Sequence, residues 1–308
     1  MDKVNVKRRI FRDDTILAYI LMAPMLIGFI VFSLYPIFFI VEWSWFEYDG
    51  IREPIFIGIE NFVRVFTRSK AFWMSLANTF IITIGKTVIE IPLALVLAVL
   101  INKKGKLNTL FRSTFFLPSI VSIAIVGLIF SIIFQSYGGA INMMLEDFGV
   151  ISRYIDWFSN KCTAMAVIII ASIWSHFGVN MIFFLMGLQS VPEELYECAR
   201  IDGVNKVQQF IYITVPMLAP IMQIIIMLAI VEGMKMTDMV LVLTNGGPAG
   251  QTEVVMTYIF KYFFRYGGEA ATRLQYGYAS SMAVVTAIII GIITILYLRF
   301  TKKMSKIY

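Results

Sequence analysis

The chain has 308 residues, 59% of them hydrophobic and only 15% charged, a balance that excludes an ordinary soluble domain and marks an integral membrane protein. Its net charge of +6 does not indicate nucleic acid as a partner, because Lys and Arg gather in short flanks of apolar runs, where the positive-inside rule puts them. The two cysteines, Cys162 and Cys198, fall on opposite sides of the bilayer in the topology below, and one histidine makes no His-rich metal site, so neither a disulfide nor a metal framework is implied.

Taken in order, the chain reads as an all-α polytopic protein with six transmembrane helices. Residues 1–14 carry five Lys or Arg and form a cytoplasmic segment. The stretch 15–41 is uncharged and lacks a small-residue cleavage site, so it stays as a spanning helix, 15–42, rather than leaving as a signal peptide. Pro24 and Pro36 are its kink points, and Trp43 and Trp45 mark the outer interface of a loop that reaches residue 71.

The remaining core, 72–298, holds five more helices. Helix two spans 72–101 and carries Lys86 and Glu90 four residues apart on one face, an intramembrane ion pair that reads first as a clasp within the bundle. A basic turn precedes helix three at 113–134, and an outer loop, 135–162, with Gly138-Gly139 and Asp156-Trp157, leads to helix four at 163–188. Helix five covers 216–243, broken near its start by Pro220 and closed by the turn Asn245-Gly246-Gly247-Pro248. Helix six, 277–298, ends in a basic tail, 299–308. Fifteen Lys and Arg fall on the inner segments against nine on the longer outer loops, which puts both termini in the cytoplasm.

Between helices four and five lies the loop 190–220, with four acids among residues 193–202 in a chain otherwise poor in charge. Ser190 to Glu193 reads as a capping box with Pro192 in the first turn, starting a short helix that runs to about Ile201. Glu193, Glu194 and Glu197 suit the positive end of that helix, and Arg200 follows. Gly203 supplies the left-handed turn from which a second short helix leaves at an angle, with Pro216 marking entry into the next apolar run.

The pattern Glu197-Cys198-Ala199, Gly203, then Ile213-Thr214-Val215-Pro216 resembles the EAA loop of the membrane subunits of bacterial ABC importers. Cys198 and Val215 depart from the usual alanine and leucine, and both substitutions are small or isosteric. Phe111-Arg112 through Phe116-Leu117-Pro118, Leu243 through Pro248, and Gly58 through Phe62 look like segments of the sugar-type permeases, the maltose and glycerol-phosphate kind. The resemblance implies the type I importer permease fold in a bacterial inner membrane, with an oligosaccharide or related polyol as substrate. It also implies an ATPase dimer as partner, holding ATP and Mg outside this chain, together with a second permease subunit and an extracellular solute-binding protein. Glu194, Glu197, Cys198, Ala199, Asp202, Gly203, Ile213 and Pro216 would then couple the chain to the ATPase.

Polar residues repeat along helices four and five at helical spacing. Ser172, Ser175, His176 and Val179 form one stripe, with Asn180 beyond, and Ala229, Glu232, Gly233 and Met236 form another. In the resembling permeases these stripes are where mid-membrane sugar contacts fall, and sugar hydroxyls, both donors and acceptors, suit polar groups held inside a bilayer. Trp174 and Phe177 read first as packing, His176 either as a satisfied interhelical hydrogen bond or as a substrate contact, and Glu232, Lys235 and Asp238 alternatively as a local charge cluster. A membrane hydrolase fails on geometry: Ser175 and His176 are adjacent on a helix, about 100° apart, and no nucleophile elbow, zinc motif or phosphate-binding loop is present. An ion-coupled carrier would use the same intramembrane charges but has no need of an acidic cytoplasmic hairpin.

Overall fold

The computed structural model describes residues 2–103, 105–264 and 274–304, with side chains from Thr15 to Lys302 within those ranges. Lys104, Arg265, Arg273 and Lys306, counted above, lie outside the described residues.

The elements are helical almost throughout, because a chain in hydrocarbon must satisfy its own backbone polar groups. In order they are α1 (Asp2–Phe29), α2 (Tyr35–Trp43), a two-stranded hairpin of β1 (Phe46–Glu47) and β2 (Ile55–Phe56), α3 (Glu60–Arg68), α4 (Lys70–Leu100), α5 (Lys106–Phe116) and α6 (Ile123–Ile133). There follow α7 (Ala140–Asp147), α8 (Lys161–Gln189), α9 (Glu193–Ile201), α10 (Lys206–Gln209), α11 (Val215–Met234), α12 (Asp238–Leu243), α13 (Val255–Phe263) and α14 (Tyr276–Met304). Among the described residues five helical runs are long and apolar enough to cross a membrane, and the pair formed by α5 and α6 supplies a sixth crossing if it is counted as one span.

That third span departs from the straight helix expected over 113–134: its halves meet at 95°, joined by a 3₁₀ turn, Leu117–Ile120. Pro118 has no N–H to give, which ends the ladder of α5, although Leu117 itself keeps helical dihedrals; the chain turns at Val121 and Ser122, both extended at ψ 135° and 136°. The bend seats directly on α8 at Gly178, where a Cβ would overlap the Phe115 carbonyl oxygen.

The fifth span also differs. It begins at Lys206, not Pro216, and runs unbroken through Pro220 to Met234. A π-helical turn, Phe210–Thr214, precedes Pro216 and absorbs its missing donor, as the π turn Ile30–Leu34 does for Pro36 in the first span. The apolar run expected to reach residue 243 stops at Lys235, whose N–H is accepted by the Val231 and Glu232 carbonyls, and α12 restarts with Asp238 in its first turn. The loops 43–71 and 135–162 are more ordered than expected, holding the hairpin with α3 and holding α7, respectively.

Helix α4 packs against both α8 and α11, and this trio forms the centre of the bundle. Ala94, Ala98, Met181, Phe184 and Leu218 fill its lower seam, toward α9, while Ile82, Ile168, Val126 and Val240 join α4 and α8 to α6 and α12. Gly187 permits the close approach of α8 to α11, since a Cβ there would lie 2.7 Å from Ile221 and 2.8 Å from Leu218. Among the described residues the apolar window of the first span buries nothing within this chain, and the span touches the bundle chiefly through α14.

Candidate coupling loop and intramembrane charge network

At one end of the bundle the chain leaves α8 and builds an exposed helix, turn, helix. Ser190 is not the cap of α9: it keeps helical dihedrals at the end of α8, and its hydroxyl donates back to the Gly187 carbonyl at 2.8 Å. Pro192 precedes the first turn instead, without a side-chain cap, and Glu193 and Glu194 occupy the positive helix end. Gly203 closes α9 at φ +77°, with its N–H bonded to the Arg200 carbonyl (3.1 Å) and the Val204 N–H to that of Ala199 (2.9 Å), the paired bonds of a Schellman turn. Asn205 then caps α10 reciprocally with Gln208 at 2.9 and 3.0 Å, a capping box that sequence reasoning missed although its Asn-x-x-Gln spacing is plain.

Of the residues singled out for coupling, Glu194, Glu197, Cys198, Asp202 and Gly203 are exposed, Ala199 is buried beneath the helix, and Ile213 and Pro216 are half-buried at the base of the fifth span. Ile201, which sequence reasoning used only as a boundary, is 86% exposed beside the turn. Tyr196 and Thr214 share a hydroxyl hydrogen bond of 2.9 Å that ties α9 to the foot of α11.

The second constellation lies halfway along α4 and α8, where the far end of the fifth span meets them. Lys86, near the middle of α4, is fully buried with its Nζ 3.0 Å from Glu232 Oε1 on α11 and 3.7 Å from Glu90 Oε2 on its own helix. His176, near the middle of α8, places Nε2 2.7 Å from the same Glu232 oxygen and Nδ1 2.9 Å from the Ser172 carbonyl. Asn180, one turn on, donates to Glu90 Oε1 at 2.5 Å. Sequence reasoning held Lys86 and Glu90 apart from the two stripes, whereas the fold joins them to His176, Asn180 and Glu232 in one network across three helices. One ammonium faces two carboxylates, so neutrality takes one further proton. His176 presents both ring nitrogens to acceptors, Nε2 to Glu232 and Nδ1 to the Ser172 carbonyl.

The rest of the stripes divides. Ser172 is buried with its hydroxyl donating to Ile168 and its Oγ 3.9 Å from Met236 Sδ; Ser175 and Ala229 are buried, and Val179 and Met236 half-buried. Gly233 is a packing residue, since a Cβ there would meet Thr83 of α4 at 2.8 Å. Lys235 and Asp238 form no ion pair with Glu232 among the described residues, because the chain breaks between α11 and α12 and Glu232 is turned toward α4 and α8. Trp174 and Phe177 pack on Phe130 and Phe115 at centroid distances of 5.8 and 6.1 Å. Cys162 and Cys198 are both exposed and free, at opposite ends of the bundle.

Residues 90–306 match the family described as binding-protein-dependent transport system inner membrane component. The probable ABC transporter permease protein YesP of Bacillus subtilis is 33% identical over 293 residues, 94% of this chain and 92% of that one. The arabinooligosaccharides transport system permease protein AraP of Halalkalibacterium halodurans is 30% identical over 96% of this chain and 91% of its own length. A crystal structure of a bacterial ABC transporter involved in the import of the acidic polysaccharide alginate superposes with a TM-score of 0.81 over 97% of this chain and 99% of that one, which at 21% identity speaks for the fold. With this match over most of its length, the chain belongs to the binding-protein-dependent transport system inner membrane components, multi-pass permease subunits of ABC importers.

Proposed function

We propose that the chain forms half of the translocation pathway of an ATP-driven carbohydrate importer, with both termini cytoplasmic, and receives its drive through the 193–209 hairpin. The observation that carries this is continuity. The hairpin's second helix is also the start of the fifth span, so Lys206–Met234 is one rod of 29 residues, about 43 Å long, joining the exposed turn to Glu232. A push at the turn reaches mid-membrane without crossing a loop.

Glu232 has a second role. Its side chain is 45% exposed at the depth of His176 and Lys86, and a carboxylate at that depth does not face acyl chains. It faces the space shared with a second permease subunit, where its free oxygen can accept from a sugar hydroxyl, with His176 beside it. Relatives named for arabinooligosaccharides, lactose and trehalose/maltose support a saccharide substrate. The alginate transporter structure in complex with a pentasaccharide-bound periplasmic protein supports delivery by a solute-binding partner. ATP and Mg belong to an ATPase dimer seated on Glu194, Glu197, Cys198 and Ile201.

The test is ATP hydrolysis by the assembly purified in lipid, with and without the binding protein and a panel of neutral sugars. Stimulation by one loaded binding protein, lost in Gly203→Val, is expected. A wild-type chain that transports sugar with no ATPase bound would favour an ion-coupled carrier instead.

A further inference from the structure

We infer that Glu90 is a positioning residue of the transport cycle, a second seat to which the Lys86 ammonium passes when α11 moves against α4. The inference rests on the coupling role proposed for the Lys206–Met234 rod and adds the device that lets the rod move.

Lys86 is fully buried, so no water waits to receive its charge if Glu232 is drawn away. Glu90 Oε2 is also buried and has no hydrogen-bond partner, while Oε1 is held by Asn180. A buried carboxylate oxygen without a donor is costly, and this one stands 3.7 Å from the ammonium, fixed in aim by the bond to its neighbour oxygen. Lys86 and Glu90 ride on the same helix, one turn apart, so their separation does not depend on where α11 stands. Glu232 rides on the rod.

The two arrangements leave no charge alone. In the observed one Lys86 bonds Glu232, and His176 holds the same carboxylate at 2.7 Å. In the other Lys86 bonds Glu90, and Glu232 keeps His176. The exchange moves one ammonium by about an ångström and breaks no covalent bond, and each carboxylate ends with one nitrogen of its own, Lys86 Nζ for Glu90 and His176 Nε2 for Glu232. A static clasp would not need an unpartnered oxygen beside the ammonium.

The test uses this chain assembled with its second permease and ATPase in lipid nanodiscs, comparing wild type, Glu90→Gln and Glu90→Asp. Glu90→Gln keeps a side chain able to bond Asn180 but offers the ammonium no anion. The expected result is an unchanged thermal midpoint, an unchanged KM for ATP, and a kcat for ATP hydrolysis lower by about tenfold, which is about 1.4 kcal/mol on the barrier. Glu90→Asp, which restores the charge, should recover most of that kcat. Spin labels on α4 and α11 should report a distance change on vanadate trapping in wild type and not in Glu90→Gln. A Glu90→Gln assembly with wild-type kcat, or one in which kcat and thermal midpoint fall together without recovery in Glu90→Asp, overturns the relay and leaves the importer reading standing. Failure of the wild type to bind any ATPase overturns the coupling role and the relay together.

Discussion

Two pairs of opposite charges at helical spacing sit in very different places in this molecule. Glu197 and Arg200 on α9 approach to 3.9 Å with both side chains more than half exposed, whereas Lys86 and Glu90 on α4 stand 3.7 Å apart with no exposure at all. In water such a pair contributes about 0 to 1 kcal/mol, because each ion keeps its hydration. Inside the bundle the same spacing acquires further partners, Glu232, His176 and Asn180, because each ion there must be met by protein. The coupling loop is held by backbone turns and caps, and the network by charges contributed from three helices.

The comparison breaks most visibly at Lys86. Lys86→Met leaves Glu90 and Glu232 in the bundle without their ammonium and should destabilise the protein by about 3–5 kcal/mol, read as a large fall in thermal midpoint or in recovered assembly. Adding Glu232→Gln should restore part of the loss, since it removes one stranded charge. By contrast, Glu197→Gln on α9 should move the midpoint by no more than about 0.5 kcal/mol. Equal effects of Lys86→Met and Glu197→Gln would show that the network is no more than a surface pair turned inward.

The next effect belongs to backbone approach. Gly178→Ala drives a Cβ into the Phe115 carbonyl oxygen, where the bent third span rests on α8, and should cost about 1–3 kcal/mol. A Cβ added at Gly291, on α14, meets nothing within 4 Å, so Gly291→Ala in the same measurement is the neutral control. Gly203→Val is milder for the fold, about 1–2 kcal/mol for a left-handed residue with a side chain, because nothing crowds that Cβ. Its expected signature is instead the loss of stimulated ATP hydrolysis in an assembly that still forms.

What could be read from the sequence follows the same division. The α9 helix and its stop at Gly203 were legible because Pro192, the acids and the glycine act on their immediate neighbours. Membrane crossing was legible because apolar length alone decides it. The 95° bend was not, since half its cause, Gly178, sits on another helix. The unbroken passage through Pro220 was hidden because soluble-helix rules overstate a proline's effect in a membrane span, where neighbouring groups satisfy the freed carbonyl. Lys86 and Glu90 showed a shared face through their four-residue spacing. Their link to Glu232, His176 and Asn180 depends on α4, α8 and α11 being neighbours, which periodicity does not encode.

The smallest expected effect separates two candidate caps on the same loop. Asn205 makes both bonds of a capping box at the start of α10, whereas Ser190 bonds backward into α8 and caps nothing ahead of it. Asn205→Ala should therefore cost about 1 kcal/mol locally, and Ser190→Ala less than about 0.5 kcal/mol. Neither should move the thermal midpoint of the bundle, because α10 is a single turn and the rod above it is held by α4 and α8. Amide hydrogen exchange reads the local difference: faster exchange over Lys206–Gln209 in Asn205→Ala, and no change over Glu193–Ile201 in Ser190→Ala. If the Ser190 variant instead loosened α9, its hydroxyl would be capping forward in solution. The hairpin would then be anchored to α8, and the mechanical link would run through the fourth span rather than the fifth.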